Sequence, residues 1–115
     1  MKSKNDIQLI SLKLNKDIVK ILHNGKKIIL KNSDVWLAKI NNKTIFKYAL
    51  LVNKSYFKLA VTRNKIKRIL RSLLQEIVMV GGFIFLIKPT REFINFSYNQ
   101  NKHFFIEVFK QYANF

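Results

Sequence analysis

The sequence predicts an α+β fold, αβββαβα in chain order: a two-layer sandwich of a four-stranded sheet with helices packed on one side. Three observations predict it. Three short strand-like runs follow one another between residues 27 and 52. An amphipathic helical pattern occupies 62–78. A continuous apolar run, 83–87, sits between Gly81-Gly82 and Pro89, as a strand buried on both faces requires.

Each element has a local cause. Residues 12–22 predict a short helix, because Ile18, Ile21 and Leu22 share one face at helical spacing. Asn15 or Asp17 is the expected cap, and Gly25 the stop signal. His23 falls at the helix end, where a protonated imidazole suits the C-terminal dipole. The runs 27–30, 35–40 and 44–52 are rich in β-branched and aromatic residues, and Asn41-Asn42-Lys43 supplies a turn. Together they predict an antiparallel meander. The second helix is expected from Thr62, as N-cap, to about Val78. A last helix over 99–112 carries Phe104, Phe105, Val108 and Phe109 as its apolar stripe.

The 115 residues are expected to form one domain, 1–115, and about half are apolar, enough for one core. The charge is lopsided: 22 Lys and Arg against 6 Asp and Glu, a formal net charge of +16. A compact chain with that charge repels itself, and a polyanionic partner relieves the repulsion while releasing counterions. Nucleic acid is the leading partner class and an anionic membrane surface the second. The chain has no cysteine, which excludes disulfides, Cys-ligated zinc and a thiol nucleophile. The start, Met1-Lys2-Ser3-Lys4-Asn5-Asp6, carries no apolar signal segment. The longest apolar run, 77–87, has 11 residues and two glycines, against roughly 20 for a spanning helix. A soluble, cytoplasmic protein is the expectation.

The informative stretch is Ala60-Val61-Thr62-Arg63-Asn64-Lys65-Ile66-Lys67-Arg68-Ile69-Leu70-Arg71. On a helix with Arg63 at zero, Lys67 falls near about 40°, Arg71 near 80°, Asn64 near 100° and Arg68 near 140°. The apolar residues, Ile66 to Ile77, span roughly 240° round to 20°. One face is basic and the other is made to pack. Four cations and an amide share one arc with no acidic residue at i+4, a clustering that costs repulsion unless a polyanion meets it. Forked guanidinium groups suit phosphate, and Asn64 can bond a base or backbone group.

The string Arg63-Asn64-x-Ile66-Lys67-Arg68-x-x-Arg71, preceded by Ala60-Val61, resembles the signature of the bacterial ribonuclease P protein family. Other landmarks fall in that family's order: Leu12, Asp17 and Lys20 before Gly25-Lys26, then Val52-Asn53-Lys54, then 83–87 with Lys88-Pro89. Departures are Ile18 and Leu22 where the family has phenylalanines, Ser55 in place of a second lysine, no glycine within 56–59, and Gly82 where an acid often stands.

The resemblance implies the fold of the second domain of ribosomal protein S5. It implies a protein subunit that assists a catalytic RNA in removing the 5′ leader of precursor tRNA. Magnesium would be bound mainly by the RNA and none by the protein alone. The partners would be the RNA subunit and precursor tRNA, with no small-molecule substrate. Arg63, Asn64, Lys67, Arg68 and Arg71, with Lys54 and Lys58, would face RNA. A cleft between the first helix and the sheet would hold the single-stranded leader, with Ile18, Leu22, Trp36, Phe46 and Tyr48 as candidate platforms. Aliphatic residues in the first helix remove π-faces, so this cleft is expected to rely more on charge.

No catalytic residue and no metal site is expected in the chain itself. The six acids, Asp6, Asp17, Asp34, Glu76, Glu92 and Glu107, show no pairing suited to two-metal chemistry. His23 and His103 lie far apart, and Gly81-Gly82 reads as a turn rather than a phosphate cradle. Two other classes compete. A general basic RNA-binding protein, ribosomal or assembly-related, would share the charge and fold class. A membrane-surface protein would use the basic face, but the wide apolar arc needs a sheet beneath it.

Overall fold

A computed structural model describes residues 7–112. The polar start at 1–6, on which the expectation of no signal segment rests, and residues 113–115 lie outside the described part. In chain order the elements are β1 (Gln8–Ser11), α1 (Asn15–Asn24), β2 (Lys26–Ile29), β3 (Ser33–Lys39), β4 (Ile45–Leu50), α2 (Ala60–Ile77), β5 (Phe83–Pro89), a 3-10 turn (Arg91–Asn95) and α3 (Tyr98–Tyr112).

The α+β class and the αβββαβα order hold, with one strand added at the front. β1 pairs in parallel with β4, Leu9 opposite Phe46. The sheet order is β1-β4-β5-β3-β2. The expected meander is therefore only half formed. β2 and β3 pair antiparallel, but β5 separates β3 from β4, antiparallel to the first and parallel to the second. The cause is hydrophobicity: β5 is the most apolar strand and takes the centre, where both faces are covered.

Helices also cover both faces, not one. Val35, Leu37, Phe46, Phe83, Phe85 and Ile87 point from the sheet toward α2 and α3. Phe85 meets Phe109 at 5.0 Å and Phe105 edge-on at 6.2 Å. The opposite face places Trp36, Ala49 and Leu86 against Ile21 of α1, with Ile18 beside them. Along α3, Phe105, Val108 and Phe109 are buried, while Phe104 sits higher and packs edge-on against Phe96.

The helix starts differ from expectation. α1 is capped by Leu14 and α2 by Leu59, both extended and neither with a side-chain cap bond. Asn15, Asp17 and Thr62 are therefore first-turn residues and not caps. Gly25 ends α1 as expected, its N–H donating to the Ile21 carbonyl at 2.7 Å.

Two features fix the ends of the sheet. Gly82 has φ of 92°, a conformation that only glycine adopts cheaply. Its N–H donates to Ile45 at 2.7 Å and its carbonyl accepts from Ile40 at 2.9 Å, so it ties β5 to both neighbours. At the other end, buried Asn32 donates to the side-chain oxygen of buried Asn101 at 2.9 Å. Ser33 donates to Asn32 at 3.0 Å. This polar pair locks the β2–β3 turn to α3.

Candidate nucleic-acid interface

α2 forms through the whole motif, and its apolar face packs as the angles require: Ile66, Leu70, Leu73, Leu74 and Ile77 are buried. Asn64, Arg68 and Arg71 are exposed, and Arg63 and Lys67 are half-buried. The ion pairs among the described residues are Lys102–Glu76 and His103–Glu107. Neither touches this arc, and among the described residues its cations form no ion pair.

Arg63 has a second engagement. Its Nη1 donates to the carbonyl oxygens of Phe57 at 2.9 Å and Lys58 at 2.8 Å. The loop between β4 and α2 is thereby pinned to the helix it precedes. That loop is also braced at its start. The Asn53 side-chain oxygen accepts from the Ser55 N–H at 2.8 Å and the Ser55 hydroxyl at 2.7 Å. Phe57 is buried as its anchor. Lys54 and Lys58 are exposed on it.

A shallow cleft of about 620 Å³ lies at the C-terminal ends of β4 and β5. Leu22 of α1, Trp36 of β3, Asn53, Lys67 and Lys88 are among its lining residues. Lys67 thus belongs both to the basic arc of α2 and to the cleft. Sequence reasoning passed over Lys88 and Asn53. A signal for Lys88 exists: it stands two residues beyond Leu86 on β5, and strand alternation puts it on the Trp36 face.

The five leader-cleft candidates divide. Leu22 and Trp36 line the cleft. Trp36 is only 8% exposed, and Lys27 Nζ lies 5.4 Å from its ring centroid. It offers a margin, not an open ring face. Ile18 packs against the Trp36 cluster and does not line the cleft. Phe46 and Tyr48 are corrections. Phe46 is fully buried, and Tyr48 packs against the same core on the α2–α3 side. Their strand parity is opposite to that of Trp36, so neither can serve a cleft on the α1 side.

Among the described residues, no three His, Asp or Glu side chains converge as a metal site. No helix there is long and apolar enough to cross a membrane.

The chain matches the family described as Ribonuclease P over residues 8–113. It is 34% identical, over 95 residues, to the ribonuclease P protein component of Ureaplasma urealyticum, covering 80% of this chain and 78% of that one. Its fold is that of the RNase P protein from Thermotoga maritima, with a TM-score of 0.75 at 20% identity over 88% of this chain and 96% of the other. The RNase P protein of Staphylococcus aureus is similar, with a TM-score of 0.71 at 23% identity over 90% of this chain and 94% of the other.

Proposed function

This chain belongs to the ribonuclease P protein family, a part of the tRNA-processing ribonucleoprotein, and from that premise we propose how its surface is used. The basic arc of α2, Arg63, Asn64, Lys67, Arg68 and Arg71, binds the catalytic RNA subunit, with Lys54 and Lys58 extending the contact. The cleft between α1 and the sheet receives the single-stranded 5′ leader of precursor tRNA.

The observation that carries this reading is the shared position of Lys67. One side chain is common to the α2 arc and to the cleft that Leu22 and Trp36 line, so one continuous surface can hold the RNA subunit and the leader side by side. The cleft's chemistry suits a leader read chiefly by charge. Lys67 and Lys88 supply cations for phosphate, and Asn53 supplies an amide. Leu22 and the margin of Trp36 supply an apolar wall with little stacking area.

In this assignment the endonucleolytic chemistry resides in the RNA. Magnesium is assigned to the RNA as well, where it would supply the Lewis acid for phosphodiester cleavage. The protein's part is to neutralise phosphate repulsion and to orient the leader.

Reconstitution tests the proposal. The purified chain, mixed with a bacterial ribonuclease P RNA, should raise cleavage of precursor tRNA at low magnesium. No stimulation, with ribosomal RNA bound instead, would turn the reading toward a general RNA-binding protein.

A further inference from the structure

Arg91 lies outside the arc and the cleft, yet its guanidinium carbon sits 5.0 Å from the ring centroid of Tyr56. The two residues come from different parts of the chain. Tyr56 stands in the loop between β4 and α2, and Arg91 opens the 3-10 turn after β5. Both side chains reach solvent; Tyr56 is 36% exposed.

Each partner stands on a braced backbone. Asn53 accepts from the Tyr56 N–H at 3.2 Å and the Phe57 N–H at 3.0 Å. Buried Phe57 meets the Tyr56 ring edge-on at 6.4 Å. On the other side, Thr90 donates to the Asn32 carbonyl at 3.1 Å, and buried Phe93 donates back to Thr90 at 3.0 Å. The pair is therefore held in place before any ligand arrives, which lowers the ordering cost of binding.

Among the described residues the charge around the pair is not offset by an ion pair. Lys54 and Lys58 lie on the Tyr56 loop, and Arg63 is bonded to that loop's carbonyls. The nearest acid in sequence, Glu92, accepts from Asn95 within the 3-10 turn at 3.0 Å, and no ion pair to Arg91 occurs among the described residues. The loop carries Asn53 in the cleft and ends at α2, so Tyr56 stands on the segment that joins the two proposed RNA surfaces, with Arg91 packed against it from the 3-10 turn.

We propose that Tyr56 and Arg91 form a further RNA-binding site, which takes one unstacked nucleotide. The arginine keeps its in-plane N–H donors for the phosphate while the exposed guanidinium or ring face meets the base. This rests on the RNA-binding reading above. The nucleotide's source is either the RNA subunit or the leader, and both present the same chemistry.

The test uses the full chain carrying Arg91→Gln, Tyr56→Leu or Tyr56→Phe. Affinity is measured for the RNA subunit alone, and for precursor tRNAs of graded leader length in the reconstituted complex. Thermal unfolding is followed in parallel. Arg91→Gln and Tyr56→Leu should each weaken one of these arms on the order of five-fold, and Tyr56→Phe should not. Arg91→Gln should also flatten the salt dependence by about 0.7 to 0.9 in log–log slope. The arm that responds identifies the source. If both variants bind as wild type and only melt earlier, the pair is a loop clamp and the proposal is wrong. A wild-type chain that binds neither RNA overturns the functional reading and this site together. Wild-type binding with unchanged variants overturns this site alone.

Discussion

Arg63 donates from its guanidinium to the carbonyl oxygen of Phe57 at 2.9 Å, six residues earlier in the chain. The same nitrogen reaches Lys58. The first residue of the Arg-Asn motif is therefore both a cation of the basic arc and the fastener of the loop before it. Arg63→Ala should lower stability by about 1 kcal/mol, since a charged donor is lost at a partly exposed site. Arg68→Ala and Arg71→Ala, at exposed positions with no partner in the described ion pairs, should leave the melting temperature unchanged. All three should weaken RNA binding. Equal melting temperatures for the Arg63 and Arg68 variants would remove the fastening role.

Leu22 and Phe46 give opposite predictions. Phe46→Ala should destabilise by roughly 3 to 5 kcal/mol, because a fully buried ring leaves a cavity between β4 and α3. Whatever binding survives should show an unaltered dependence on leader length. Leu22→Glu, at a half-open position on the cleft wall, should fold normally and weaken long leaders more than short ones. Denaturation curves paired with a leader-length series separate the two.

These residues also mark how far the sequence was legible. The basic arc and packing face of α2 were readable because helical angles are local and follow from spacing alone. Whether Phe46 faced α1 or α3 was not readable. Parity is local, but which parity meets which helix depends on where β5 inserts, and that is a pairing across more than thirty residues. β1 escaped for a related reason. Four residues with two half-buried apolar side chains carry little signal until β4 lies beside them. Trp36 and Leu22 both line the cleft beside α1. Lys88 closes an apolar run, 83–87, so its charge looks like a strand exit until alternation is followed past Leu86 to the Trp36 face.

Gly81 should resist any side chain. A Cβ there would overlap the Lys43 carbonyl oxygen and lie 2.8 Å from its carbon, both backbone atoms. Gly81→Ala must therefore move the turn between β3 and β4 or the entry to β5. A loss of more than about 1 kcal/mol is expected, read by chemical denaturation. An alanine variant as stable as wild type would mean that the turn yields freely.

Asn32 and Asn101 should behave as one unit. Asn101→Ala leaves the Asn32 amide without its 2.9 Å acceptor in a fully buried site. A cost of about 1 to 3 kcal/mol is expected for the orphaned group. Adding Asn32→Ala should cost much less than it does alone, because the partner is already gone. Additive losses in the double-mutant cycle would contradict a shared bond.

Lys65 separates the α2 arc from mere net charge. It lies near about 200° on the helix wheel, away from Arg63, Lys67, Arg71 and Arg68, and it lines a pocket with Phe93, Phe96 and Tyr98 on the α3 side. Both Lys65 and Arg68 are exposed single cations. If RNA answers only to the overall charge of +16, Lys65→Gln and Arg68→Gln should weaken binding alike and flatten the salt dependence alike. If RNA sits on the arc, the Arg68 variant alone loses a phosphate contact, and its log–log salt slope falls by about 0.7 to 0.9. The Lys65 variant then keeps the wild-type slope. Affinities measured across a salt series for these two proteins decide between a directed surface and a diffuse one.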